Sequence, residues 1–168
     1  QLAGHMGNPV LLLHVEGLEG VGEYGAWKAT AHAFSAVAIA QLLFAPLWGR
    51  RVDRLGTRGL IPWSTMLTAL AVLPQAWVRE VHAFWALRFL QGAAAAGTIP
   101  TAYVHIGKVT AAHHRGGIYA LTLSSLQLSN VVAPLLGGFL SAAFGMPCLF
   151  VVAAALLAGS SLWTRRRL

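Results

Sequence analysis

The sequence predicts an all-α membrane protein, in which a polytopic bundle of transmembrane helices forms a single domain over residues 1–168. Of these residues, 57% are hydrophobic and only 10% are charged, which is the composition of a polytopic membrane protein. The apolar residues also fall in long, continuous blocks. A helix needs about 20 apolar residues to cross the hydrocarbon core of a bilayer, and several blocks reach or approach that length.

Five blocks predict membrane-spanning helices, at about 27–48, 60–78, 83–106, 118–142 and 148–163. The connections between them are short, and turn residues mark three of them. These turn residues are Gly56 and Gly59, Gly116 and Gly117, and Gly145-Met146-Pro147. No stretch rich in Pro or Ser interrupts the series, so we expect one helical unit without a soluble domain.

A shorter apolar run at about 8–15 predicts the outer end of one more helix. It is too short to cross a bilayer, so the expected unit has six helices, of which the first is truncated. The chain also starts at Gln1 instead of Met and shows no signal peptide. These features predict a fragment of a longer protein.

The positions of the charges predict how the helices are oriented. Nine of the twelve Lys and Arg residues lie in three clusters, and the apolar stretches between clusters are each long enough to cross a bilayer twice. All three clusters therefore fall on one side, which the positive-inside rule assigns to the cytoplasm. The clusters are Arg50, Arg51, Arg54 and Arg58; Lys108 and Arg115; and Arg165, Arg166 and Arg167.

The other side carries Glu16, Glu19, Glu23 and Glu80, with only Lys28 and Arg79 as cations. We therefore expect a multi-pass protein of the cell membrane, inner or plasma, with a cytoplasmic C-terminus. A surface for nucleic acid would explain neither the spacing nor the asymmetry of the charges, so no nucleic-acid partner is expected.

Residues that could perform enzyme chemistry are few. The single cysteine, Cys148, excludes an intrachain disulfide and a Cys-based zinc site, and the pair His113-His114 lacks further metal ligands. No nucleophile paired with a base and no nucleotide-binding loop is visible. The sequence predicts no catalytic residue, no metal site and no cofactor.

The segment 49–58 is a charged, glycine-punctuated stretch between two apolar blocks and predicts a loop. Gly49, Asp53, Arg54, Gly56 and Arg58 match the pattern Gly-x-x-x-Asp-Arg/Lys-x-Gly-x-Arg/Lys. The segment resembles the short cytoplasmic loop that marks transporters of the major facilitator superfamily. Gly49 is expected to let another helix approach closely, and Gly56 to permit a turn. The alternative is a solvated topogenic loop.

In that family this loop clamps the two halves of the bundle together on the cytoplasmic side in one conformation and releases them in the other. The resemblance therefore implies that Asp53 is the pivot of a conformational clamp, and that Arg54 and Arg58 are its partners or tethers.

Arg88 lies a few residues inside an apolar span, where a charge costs roughly 2.5–3.5 kcal/mol on insertion scales. It either faces the interior of the bundle or snorkels to the outer surface. Arg88, Gln91 and Gly92, followed by a run of small residues, resemble a second signature of the family, which is associated with substrate or proton handling. Gly92 and Gly97 belong to small-xxx-small pairs and are expected to pack against another helix.

The fourth span resembles the family element Gly-x-x-x-Gly-Pro-x-x-Gly-Gly. Pro134, Gly137 and Gly138 match it and are expected to pack helices, whereas Ser129 and Ala133 stand where glycines are expected. Antiporters characteristically keep this element intact.

The first half of the fourth span is unusually polar, and it includes Gln127 and Asn130. These side chains either form interhelical hydrogen bonds or line a substrate or proton pathway. No Asp or Glu lies inside any predicted span, so a carboxylate that carries protons would have to lie in the rest of a longer protein.

The resemblance covers nearly the whole chain and is strongest to bacterial drug:proton antiporters. It implies a secondary transporter that exports small amphipathic drugs by alternating access, with a small-molecule substrate, the lipid bilayer and the missing other half of the transporter as partners. The weakened Pro134 element favours the C-terminal half, although the Asp53 segment and the Arg88 element are compatible with the N-terminal half. Two alternatives are an uptake transporter for sugars or metabolites, and a membrane scaffold or degenerate fragment that transports nothing.

Overall fold

The computed structural model describes residues 11–167, and within this range the chain forms seven α-helices. They are α1 (Leu11–Glu16), α2 (Ala26–Leu55), α3 (Thr57–Val72), α4 (Val81–Ala95), α5 (Thr98–Val109), α6 (Arg115–Phe144) and α7 (Met146–Arg167). The predicted all-α polytopic bundle is confirmed. Residues 8–10 of the predicted first helix lie outside the described range.

Three of these helices are long and apolar enough to cross a membrane, judged by length and composition alone. They cover Ala26–Leu55, Arg115–Phe144 and Met146–Arg166. α3 is shorter, and its chain continues as a 3-10 turn over Leu73–Ala76. Each of the three long helices spans more than the 20 or so residues that a bilayer core requires.

The single span predicted at 83–106 is divided into α4 and α5, with only Ala96 and Gly97 between them. Pro100 explains the break. A continuous helix would need the N–H of residue 100 to donate to the carbonyl of Ala96, and proline has no N–H. The backbone therefore changes course at two small residues.

The charged segment 49–58 is helical on both sides of a single residue, so the predicted loop is wrong. α2 passes its predicted end at 48 and continues to Leu55, and α3 begins at Thr57. Gly56 between them has φ of 78°, a value that residues with a side chain resist. Its N–H donates to the carbonyl of Val52 at 2.9 Å. Residues 49–55 include no proline that would end α2 earlier.

Two clusters of buried apolar side chains lie toward opposite ends of the bundle. The first cluster joins α1, α2, α3, α4 and α7 and includes Val15, Val72, Phe84 and Phe150. We call this the Glu80 end, because the backbone of Glu19 pairs there with the chain beside Glu80. The second cluster contains Trp48, Val52, Leu60 and Ala96 and lies toward the connection at Gly56, which we call the Gly56 end.

α6 stands at the margin of this bundle. Its described side chains are mostly exposed, and only Ala133 and Gly137 are buried. Leu121 and Leu135 are 71% and 70% exposed although both are large and apolar. A helix with so much uncovered apolar surface requires lipid or further protein around it.

Candidate functional site

A polar cavity of about 340 Å³ lies between the two apolar clusters and is lined by α2, α3, α4, α5 and α7. On α2, the lining residue Gln41 falls between Ala33 of the first cluster and Trp48 of the second. The polar lining residues are Gln41, Thr65, Thr68, Arg88, Gln91, Thr98 and Ser160, and the apolar ones include Phe34, Val37, Ile99 and Leu157. Polar groups in an apolar bundle are a mark of function.

Arg88 is the only charged residue among the described residues that line this cavity, and it is 4% exposed. The structure places its side chain inside the bundle and not at either surface. Nη1 donates a long hydrogen bond of 3.5 Å to Oε1 of Gln91. The guanidinium carbon lies 5.3 Å from the ring centroid of Phe84, at a distance that favours attraction to the face of the ring. Nε and Nη2 have no hydrogen-bond partner among the described residues.

Gln91 connects Arg88 to a glutamine that the sequence analysis missed. Nε2 of Gln75 donates to Oε1 of Gln91 at 2.9 Å and to the carbonyl of Ala71 at 3.0 Å. Gln75 is fully buried. One amide oxygen on Gln91 therefore accepts hydrogen bonds from both Gln75 and Arg88, which fixes the orientation of its side chain. The available signal was an amide inside the apolar run 69–78.

The hydroxyl groups of α3 are a second feature that the sequence analysis missed. Thr65 donates to the carbonyl of Ile61 at 2.9 Å, and Thr68 donates to that of Ser64 at 2.8 Å. Both threonines line the cavity. Because their protons are used within α3, their oxygen lone pairs are the groups left to meet a ligand or water.

Gly92 and Gly97 lie where α4 and the start of α5 meet α2. A Cβ atom on Gly92 would lie 2.5 Å from the carbonyl oxygen of Val37, and one on Gly97 would lie 2.5 Å from Cδ2 of Trp48. Trp48 also donates from Nε1 to the carbonyl of Ala93 at 2.8 Å. The small residues thus let α2 approach α4 backbone to backbone, which holds Arg88 and Gln91 beside α2.

Asp53, Arg54 and Arg58 are all exposed at the Gly56 end. No ion pair of Asp53 with another described residue is present. The expected close approach of a helix to Gly49 is also absent, because a Cβ there would meet nothing within 4 Å among the described residues. The segment thus presents its charges outward and is not held by contacts within this chain.

The structure does not bring Gln127 and Asn130 to the cavity. Both are exposed on α6, where Nδ2 of Asn130 donates to Oε1 of Gln127 at 2.9 Å. Three neighbouring hydroxyl groups donate to carbonyls four residues earlier in the same helix, so their protons form no hydrogen bond to another described helix. These hydroxyls belong to Thr122, Ser125 and Ser129.

The residues of the Pro134 element divide between two faces of α6. Ala133 and Gly137 are buried, and α7 is the main neighbour of α6. A Cβ on Gly138 would meet nothing within 4 Å among the described residues, so its expected packing is not formed here. Pro134 lies within α6 without ending it.

Comparison with known proteins finds one family. A sequence profile described as Major Facilitator Superfamily matches residues 17–167. The chain is 32% identical over 162 residues to the uncharacterized MFS-type transporter YuxJ of Bacillus subtilis (strain 168), covering 95% of this chain and 41% of that protein.

Two further relatives are multidrug resistance proteins named MdtG. The protein of Dickeya zeae (strain Ech586) is 30% identical over 149 residues, or 89% of this chain and 36% of its own length. The protein of Klebsiella pneumoniae (strain 342) is 28% identical over 156 residues, or 93% of this chain and 38% of its own length. The chain thus spans about two fifths of the length of the curated relatives it matches.

Proposed function

Because this chain belongs to the major facilitator superfamily, we propose that it forms one half of a secondary transporter that exports small amphipathic drugs in exchange for protons. It is a multi-pass membrane protein of a transporter family and not an enzyme.

The observation that carries the proposal is the cavity between apolar helices, which is lined by both polar and apolar side chains. Transporters of this kind bind their substrates near the middle of the membrane, where two bundles meet and rock against each other. The cavity lies about midway along α2, α3 and α4 and combines one cation with amides, hydroxyls and apolar walls. Such a lining suits a small molecule with both a polar and an apolar part.

The length of the relatives supports the proposed half. A chain that covers 41% of a relative leaves ample length there for a second bundle. In this proposal the described helices make a single domain, and the second half supplies the partner of Asp53 and covers α6. The assignment to the C-terminal half stays a prediction from the weakened Pro134 element. The position of the chain within its full-length protein would test this assignment.

The proposed location is the cell membrane, with the Gly56 end and the C-terminus in the cytoplasm. This orientation follows from the cation clusters at the Gly56 end, in the 108–115 region and at the end of α7, which alternate with the acidic Glu80 end. The clamp residues Gly49, Asp53, Arg54, Gly56 and Arg58 would then act on the cytoplasmic side.

The alternative function within the family is uptake of a sugar or metabolite. It is favoured by the amides and hydroxyls of Gln91, Thr65 and Thr68, since donors and acceptors of this kind recognise polyols. The direction of substrate movement and its coupling to protons distinguish drug efflux from uptake. A membrane scaffold would move no substrate and no protons.

The test uses the full-length protein in proteoliposomes with a trapped pH-sensitive dye. With an imposed proton gradient, a panel of one cationic, one neutral and one anionic amphipathic dye is presented in turn. We expect at least one dye to move against its gradient while protons move the opposite way, and a protonophore should abolish both fluxes. Equal fluxes in vesicles without protein would contradict the proposal, and dye-independent uptake of a sugar would favour the alternative.

A further inference from the structure

We propose that the cavity around Arg88 binds the carboxylate, or a similar anionic group, of an amphipathic molecule, so that the substrates of this site are organic acids and not cationic drugs. The transport part of this inference rests on the function proposed above. The binding part rests on the geometry of Arg88 alone.

The guanidinium of Arg88 has hydrogen-bond donors without a described acceptor, although it lies in the buried interior of the bundle. The side chain is 4% exposed, and two of its three guanidinium nitrogens, Nε and Nη2, have no hydrogen-bond partner among the described residues. The third, Nη1, makes only the 3.5 Å contact with Gln91. A buried cation without compensation is strongly disfavoured. A planar fork of this kind matches the two oxygens of a carboxylate.

This chain provides no carboxylate to neutralise Arg88. Its five acidic residues are all described, and all are exposed. Glu16, Glu19, Glu23 and Glu80 lie toward the Glu80 end, whereas Asp53 lies at the Gly56 end. His14, whose ring centroid lies 5.2 Å from that of Phe84, is no source of negative charge. None of the described carboxylates therefore supplies the counter-charge of Arg88, and in this inference a bound group supplies it.

The rest of the cavity suits an organic acid better than a simple ion. Phe34, Val37, Ile99 and Leu157 form apolar walls beside Arg88. The volume of about 340 Å³ falls within the range of small-molecule sites. A cationic drug would meet the uncompensated charge of Arg88, which disfavours it by like-charge repulsion in a medium of low dielectric constant.

The experiment measures binding to the full-length protein in detergent by isothermal titration calorimetry. The probes are octanoate, octanamide and octylamine, which share a chain and differ in charge. We expect octanoate to bind at least about tenfold more tightly than the other two, because hydrogen bonds to charged groups contribute about 1.5–3 kcal/mol. Arg88→Gln should remove this preference. Arg115→Gln, at an exposed arginine whose Nε donates to Thr110, should keep it.

Three results would overturn the inference: equal binding of acid and amide by the unaltered protein, octanoate binding that survives Arg88→Gln, or a wild-type protein that binds octylamine best. The last result would show that the other half supplies a carboxylate to Arg88. If Arg88→Gln does not fold, Arg88→Lys serves instead, and it should bind octanoate more weakly because lysine lacks the planar fork.

The outcome also separates this inference from the proposed function. A protein that binds octanoate through Arg88 but moves no dye would refute transport and leave the site standing. One that exports dyes but binds octanoate no better than octanamide would leave transport standing and refute the site.

Discussion

Gly92 sets the distance between α2 and α4, because the carbonyl oxygen of Val37 occupies the place where a Cβ would be. The two nearest atoms belong to the backbone of Val37 and the third is Cβ of Ala40, so no side-chain rotation can relieve the clash. Gly159 provides a contrast. It lies within α7, it is exposed, and a Cβ there would meet nothing within 4 Å among the described residues.

Gly92→Ala should therefore destabilise the full-length protein by about 1–3 kcal/mol, as overpacking does. Gly159→Ala should stabilise it by about 0.5–1 kcal/mol, because alanine favours a helix. The measurement is thermal unfolding in detergent, followed by the intrinsic fluorescence of tryptophan. Equal melting temperatures for Gly92→Ala and the parent protein would show that α2 and α4 are not in backbone contact.

Asp53 contributes little to this half by itself, since it is exposed and no described residue forms an ion pair with it. Asp53→Asn keeps the size of the side chain and removes its charge. In the full-length protein this variant should insert and express normally but lose most transport, because a clamp to the other half needs the charge.

The matched control is Glu23→Gln, which removes an exposed carboxylate at the opposite end and should leave transport unchanged. Transport is compared at equal amounts of protein in the membrane. An Asp53→Asn variant that transports at the parental rate would identify the segment as a topogenic signal only.

The sequence predicted Arg88 as a site residue because a charge in an apolar block is costly, and the resemblance to the family's second signature added Gln91. It did not identify Gln75 as their neighbour. Gln75 lies 16 residues from Gln91, and only the packing of the turn after α3 against α4 brings the two amides together. A contact of this kind depends on the angle between two elements, which local patterns do not specify.

The helices were predicted well where apolar length decides, as for α6 and α7. Their ends and breaks were predicted less well. α2 continues past Arg50, Arg51 and Arg54 to Leu55, because arginine favours a helix and the first strong interruption is Gly56. The break between α4 and α5 follows from Pro100, whose effect on a helix ranges from a bend to an interruption.

The sequence does not predict how α6 is rotated about its axis, and therefore which of its side chains face the other helices. Lipid is as apolar as a protein core, so an apolar helix carries no stripe that tells which side faces its neighbours. The sequence therefore left Gln127 and Asn130 either in interhelical hydrogen bonds or in a pathway, and the structure exposes both. The second half of the transporter would decide what they meet.

The positions of α2, α4 and α6 predict which connections face each side of the membrane. After replacement of Cys148, a cysteine at Gly59 or at His114 should react with an impermeant maleimide only from the cytoplasmic side. A cysteine at Glu80 should react only from outside. Gly59 and Glu80 are both exposed, so burial does not confound the comparison.

Labelling is measured in intact cells and in inverted vesicles for each variant, with permeabilised cells as the control for reactivity. The topology predicted from the charge clusters and the helix bounds requires the cysteines at Gly59 and His114 to lie on the same side of the membrane. Reaction of the cysteines at Gly59 and Glu80 from the same side would overturn the assignment of α3 as a membrane-crossing element.

α6 buries fewer of its residues than the other two long helices do. Two apolar clusters hold α1 to α5 and α7 around the cavity, whereas α6 contacts mainly α7 and leaves Leu121, Leu135 and Phe139 exposed. Arg88 lacks a counter-charge, Asp53 lacks an ion partner among the described residues, and α6 lacks a cover. All three conditions are met at once by a second bundle and a bound substrate.

The last prediction follows from this incompleteness. Expressed alone, the 168 residues should insert into the membrane, because α2, α6 and α7 are long and apolar enough to cross it. They should not move dye or protons in proteoliposomes, because one bundle has nothing to rock against. Co-expression with the rest of the full-length protein as a separate chain should restore part of the transport, since buried helix surfaces and not a linker hold the halves together. Transport by the 168 residues alone would contradict the half-transporter proposal, and cross-linking through a cysteine on α6 would then establish whether two copies had assembled into a two-bundle pair.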